Sequence, residues 1–143
     1  MSDSQNDSRK DYSVANLLIR LPVGILLLFA GLNKFIGGYG NFVGWMIKDM
    51  SEKTWLPGFL LYPFTYTLPF IEVALGALLV VGLFTRPVLI LSGLLLISLM
   101  FGKILTQDYP TVASTANYVF MVAVAYFFSK YNLYSLDHYW CKK

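Results

Sequence analysis

Long apolar runs separated by short polar stretches dominate this chain. Residues 14–36, 62–84, 87–105 and 112–129 are made mostly of Leu, Ile, Val, Phe, Ala and Gly. Each run is roughly 17 to 25 residues long, the length of helix that crosses a hydrocarbon core of about 30 Å. The pattern predicts an all-α fold, an integral membrane four-helix bundle. Between the first two runs, residues 37–61 form a longer connection in which Phe42, Trp45, Met46 and Ile47 lie among Lys48, Asp49, Glu52 and Lys53. That spacing predicts a short interfacial amphipathic helix, either a plain anchor or a lid over the bundle mouth. Only Thr85-Arg86-Pro87 joins the second run to the third, which predicts a tight antiparallel hairpin whose two helices pack as neighbours, with Pro87 in the first turn.

The two ends have their own character. Residues 1–12 are Ser, Asp, Asn and Lys with almost no apolar content, and are predicted to form a disordered, solvated tail. The bundle is placed at residues 13–130, and residues 131–143 form an aromatic tail. From residue 126 to 140 the chain carries Tyr126, Phe127, Phe128, Tyr131, Tyr134, Tyr139 and Trp140. Tyr and Trp favour the headgroup level, so this is an interfacial belt, with a ligand box or a docking strip for a partner as the alternatives. No cleavable signal, myristoylation pattern or prenylation box is visible.

Composition agrees with the periodicity. Hydrophobic residues make up 57% of the 143 positions and charged residues only 13%, more apolar surface than one small soluble domain could bury. Arg9, Lys10, Arg86, Lys130, Lys142 and Lys143 fall on one side of the spans. Lys48 and Lys53 fall on the other, with Lys34 and Lys103 near span ends. By the positive-inside rule both termini are cytoplasmic, in a multi-pass protein of the inner (cytoplasmic) membrane. Membrane orientation accounts for the net charge of +3, which gives no case for nucleic acid.

Chemistry enters with Glu72, which sits within an otherwise uncharged stretch, residues 56–85. A carboxylate in hydrocarbon needs a partner or a function. Arg20, Gly24, Leu27, Gly31 and Lys34 share one helical face, as do Thr65, Pro69, Glu72 and Gly76, and as do Ser92, Leu96, Leu99, Lys103 and Gln107. At about 1.5 Å per residue, Arg20 lies roughly 8 Å from the cytoplasmic end, Glu72 roughly 18 Å, Lys103 roughly 24 Å and Lys34 roughly 28 Å. Arg20 reaches up to Glu72, and Lys103 or Lys34 reaches down. The Arg20 pairing is favoured because guanidinium suits bidentate carboxylate geometry. Asn33 and Asn117 supply neutral hydrogen bonds in the outer half. The stripe is either a buried polar lock that fixes helix register, or the site for the head of a small polar or quinone-like ligand with apolar walls around its tail.

Several chemistries are excluded. The single His, His138, and the single Cys, Cys141, both lie in the C-terminal tail. The bundle has no histidine pair for haem, no metal-ligand set, and no Cys-x-x-Cys or internal disulfide. Neither a phosphate-cradling loop nor a dinucleotide fingerprint is present. Electron transfer would use a bound small molecule or a partner subunit.

The pattern Arg20-x-x-x-Gly24 through Gly31-x-x-Lys34, then Pro69-x-x-Glu72-x-x-x-Gly76, then Gly82-Leu83-Phe84-Thr85-Arg86-Pro87 resembles the DoxX family of small four-helix membrane proteins. It is similar also to the group that holds the small DoxD subunit of thiosulfate:quinone oxidoreductase. The resemblance covers residues 16–129. It implies a four-helix bundle associated with a membrane redox system, with Arg20, Asn33, Lys34, Glu72, Lys103 and Asn117 as candidate quinone-binding residues. Two functional readings follow. One is a subunit that binds quinone and works with a partner subunit, at most part of a quinone-linked oxidoreductase. The other is a non-catalytic accessory or assembly subunit of a larger membrane complex or homo-oligomer.

Overall fold

The computed structural model describes residues 2–129, and among these all regular structure is helical. Five helices follow in order: α1 (Ser2–Ile36), α2 (Tyr39–Lys53), α3 (Gly58–Val81), α4 (Thr85–Leu105) and α5 (Tyr109–Phe128). Four have segments long and apolar enough to cross a membrane: Lys10–Ile36, Gly58–Val81, Thr85–Leu105 and Tyr109–Phe128. Large apolar side chains such as Leu18, Phe29, Phe70, Phe120 and Phe127 point outward, as a lipid solvent requires. The molecule is a multi-pass helical membrane bundle. The rest of the aromatic tail, residues 131–143, lies outside the described residues.

Each helix boundary has a local cause. Gly38, at φ 95°, breaks α1 from α2 in a conformation that few side chains tolerate. The α2 helix stops where Thr54 becomes extended and its amide and hydroxyl both donate to the Met50 carbonyl. The α3 helix closes on left-handed Gly82, with the Gly82 and Leu83 amides both donating to the Leu78 carbonyl. Pro87 lies in the first turn of α4, where its missing N–H leaves no intrahelical bond unmade. Asp108 caps α5 by accepting from the Thr111 amide.

Residues 2–12 do not form the expected coil. They continue α1 without interruption, because no Gly or Pro breaks the chain before Pro22 and an established helix propagates cheaply into polar sequence. At about 1.5 Å per residue the whole of α1 is about 52 Å long, so its first turns project beyond a bilayer core.

The most extensive helix contact is α1 with α3, followed by α4 with α5. Gly31 of α1 meets the Pro69 carbonyl and Val73, Gly24 meets Leu79 and Val80, and Gly76 of α3 lies directly on the Leu28 amide. Val23 and Leu27 of α1 join Leu68, Leu75 and Leu79 of α3 in the core, together with Val88, Leu89 and Leu96 of α4 and Val122 and Ala125 of α5. The hairpin-linked helices α3 and α4 meet over less of their length than the sequence predicts. Two cavities lie between them, and α2 lies across the opening. Tyr39 fastens the α1–α2 corner to α3: its hydroxyl donates to the Tyr66 carbonyl over 2.8 Å, and its ring meets Phe35, Tyr66 and Phe70.

Candidate functional site

Antiparallel contact of α1 and α3 decides what Glu72 touches. With Gly31 seated on Val73 and Gly24 on Val80, one further turn of α1 brings Lys34 opposite Glu72. The Lys34 ammonium pairs with Glu72 Oε2, and also sits 5.0 Å from the centroid of the Phe42 ring on α2. The Glu72 side chain is 2% exposed and that of Lys34 19%, so the acid is the more deeply enclosed partner.

Arg20 is not the partner. It is buried, but it meets the α3–α4 corner, where Gly82 leaves room for its guanidinium 3.0 Å or less from where a Cβ would stand. Its Nη1 donates to the Thr85 hydroxyl over 3.5 Å. That corner is about 15 Å beyond Glu72 along α3, at 1.5 Å per residue. Other buried polar side chains, on α1 and at the C-cap of α5, are Ser13, Asn16 and Ser129, and the Asn16 amide donates to the Ala125 carbonyl over 2.5 Å.

The Lys34–Glu72 pair lines a cavity of about 170 Å³. Opposite it stand Lys103 and Gly102 of α4 and Thr111 and Thr115 of α5, while Met46 and Met50 of α2 cover it. Lys103 bridges to Asp108 at 3.2 Å rather than to Glu72. The Thr111 hydroxyl and the Lys103 ammonium both donate to Asp108, and they hold its carboxyl below the ordinary value of 3.8. Asp108 therefore stays ionised and keeps both the α5 cap and the Lys103 position wherever the pH exceeds that range. Asn33 and Asn117 are exposed, and the structure does not bring them into the cavity. Of the six residues the sequence singled out, Lys34, Glu72 and Lys103 come together.

A larger cavity of about 450 Å³ adjoins this one, and Met46, Met50, Phe64, Ser98 and Gly102 form walls of both. Its other walls are Leu56, Leu60, Leu61, Ile97 and Phe101, all apolar. The Ser98 hydroxyl donates to the Leu94 carbonyl in its own helix over 2.9 Å. One chamber therefore adds two ammonium groups, a carboxylate and the hydroxyls of Thr111 and Thr115 to the shared wall, whereas the other adds only hydrocarbon to it. Met46 belongs to the helix that the sequence offered as an anchor or a lid, whereas Met50, Thr111 and Thr115 were not singled out, although Met46/Met50 and Thr111/Thr115 each fall one helical turn apart. Among the described residues no cluster of His, Cys, Asp and Glu could hold a metal ion.

The family described as Methylamine utilisation protein MauE matches residues 12–114. The match spans most of the chain, from the start of the first membrane segment into α5, and the chain belongs to that family. This overturns the resemblance to DoxX. The residues that carried it are explained by geometry: Gly24, Gly31 and Gly76 are the close contacts of α1 with α3, and Gly82 makes room for Arg20. Any antiparallel membrane pair so closely apposed needs small residues at such spacings. No curated protein and no solved structure matches the chain.

Proposed function

We propose that this MauE-family chain is a membrane-embedded accessory subunit of a redox system serving methylamine utilisation, and that its polar cavity holds the head of a quinone while a partner subunit supplies or accepts the electrons. The observation that carries this reading is the Lys34–Glu72 pair, which lines a cavity with Lys103, Thr111 and Thr115 instead of a close-packed helix contact. Quinone carbonyls are acceptors, and the Lys34 and Lys103 ammonium groups are donors with hydrogens to spare beyond their carboxylate partners. The donor or acceptor that exchanges electrons with the quinone belongs to the partner in this reading, in keeping with the single Cys and single His of the sequence. In this reading the protein sits in the inner membrane with both termini in the cytoplasm, which places the cavity in the outer half of the bilayer.

A structural reading has its own support: Lys34 and Glu72 tie together the helix pair with the most extensive contact, which suits an assembly subunit whose charges only hold its fold. Lys103→Met separates the two. Its pair with Asp108 is about one-third exposed at both side chains, where water screens the charges, so breaking it costs little stability. For a quinone site, the quinone content of the gently purified complex falls while helicity and assembly stay unchanged. Normal quinone content and turnover in well-assembled Lys103→Met protein would leave the accessory reading alone.

A further inference from the structure

The apolar chamber is not needed to explain the ion pair, yet it is the larger cavity and shares a wall of five residues with the polar one. Its outer rim is formed by Leu60 of α3 and Ile97 and Phe101 of α4, each about half exposed on the face that lipid covers. Its inner end is formed by Met46, Met50 and Leu61, all buried. The chamber thus runs from the bilayer, between α3 and α4, to the wall of the polar cavity. Met50 is the pliable part of that wall: its Cε lies 3.0 Å from where a Cβ on Gly102 would stand, and thioether side chains repack readily. With Ser98 already bonded to its own helix, the chamber has no free donor for a polar occupant. Its volume falls within the range of about 300–1,000 Å³ usual for small-molecule sites.

We propose that this chamber is the tail site of the same ligand: it takes a single isoprenoid or similar hydrocarbon chain that enters laterally from the bilayer between Leu60 and Ile97, and it thereby selects a tailed lipid-soluble compound over a free water-soluble head. The inference rests on the reading of the polar cavity as a head site. The adjoining walls carry the argument, because a head held against Lys34 and Lys103 has its substituent directed past Met46 and Met50 into an apolar space.

Ile97→Trp and Leu60→Trp narrow the opening from its two sides. Neither residue lines the polar cavity, and both are half exposed, so neither change overfills the core. Wild type and both variants, matched for helicity and melting temperature in nanodiscs of one phospholipid composition, are titrated with three probes: a benzoquinone without a tail, the same ring bearing two isoprenoid units, and the isoprenoid alcohol alone. The expected result is tailless binding unchanged and tailed binding weakened at least about tenfold in a folded variant, a difference of about 1.4 kcal/mol. Equal affinity of wild type and both folded variants for the tailed quinone would overturn the tail site. Should neither quinone bind wild type while the alcohol binds and is lost in the variants, the chamber stands and the quinone-head reading fails. Absence of binding by all three probes overturns both.

Discussion

A carboxylate as enclosed as Glu72 is stable in hydrocarbon only while a cation stays beside it, and Lys34 holds that position from the end of α1. Glu72→Ala strands the ammonium and opens the contact between α1 and α3. Breaking a buried pair from one side typically costs about 3 to 5 kcal/mol, so this variant is expected to unfold well below wild type when melted in detergent. Glu72→Gln is expected to lose less, because the amide oxygen still accepts from Lys34 and the shape is kept. Equal melting of wild type and Glu72→Ala would show that the carboxylate is not held as the structure indicates. The importance of Glu72 was legible in the sequence, but its partner was not. Depth counted along separate helices treats them as parallel rods, whereas Gly31 on Val73 and Gly76 on Leu28 fix the register. Opposing the small residues of α1 and α3 would have selected Lys34 over Arg20.

At the level of whole helices, two glycine sites give opposite expectations for an added side chain. A Cβ on Gly76 would overlap the Leu28 backbone, which no rotamer change relieves. Gly76→Leu is expected to destabilise by at least the 1–3 kcal/mol or so of an overfilled core. Gly44, in the middle of α2, has nothing within reach of an added Cβ, and Gly44→Ala is expected to hold or raise stability by up to about 1 kcal/mol through helix propensity. Melting temperatures of the two variants in one detergent test the pair, and a tolerated Gly76→Leu would refute the close α1–α3 contact. The existence of the helices was legible because apolar runs and turn residues report it directly. Their extent was less so: α1 begins in polar sequence and α3 starts at Gly58, since propagation and capping do not follow hydropathy. The cavity walls were hidden for a different reason. Met46 and Thr111 look like ordinary members of an amphipathic helix and a helix start until α2 and α5 are placed against α4.

For the molecule as a whole, sidedness is open to a direct measurement. With both termini cytoplasmic, Cys141 resists a membrane-impermeant thiol reagent in intact cells, whereas Ser51→Cys in a Cys141→Ser background reacts, since Ser51 is exposed near the end of α2. The opposite labelling pattern would invert the bundle and place the polar cavity on the cytoplasmic side. The fold also implies an order of events during synthesis. Translation runs from the N-terminus, and Lys34 precedes Glu72 by 38 positions. When α3 leaves the ribosome, the cation it needs is therefore already made, and the acid need not wait unpaired in lipid. The Asn16–Ala125 bond, 109 positions apart, closes only once α5 has been made. Thr111 and Thr115 arrive only with α5, so the cation and the acid are both made before the cavity around them is completed by the fifth of the described helices.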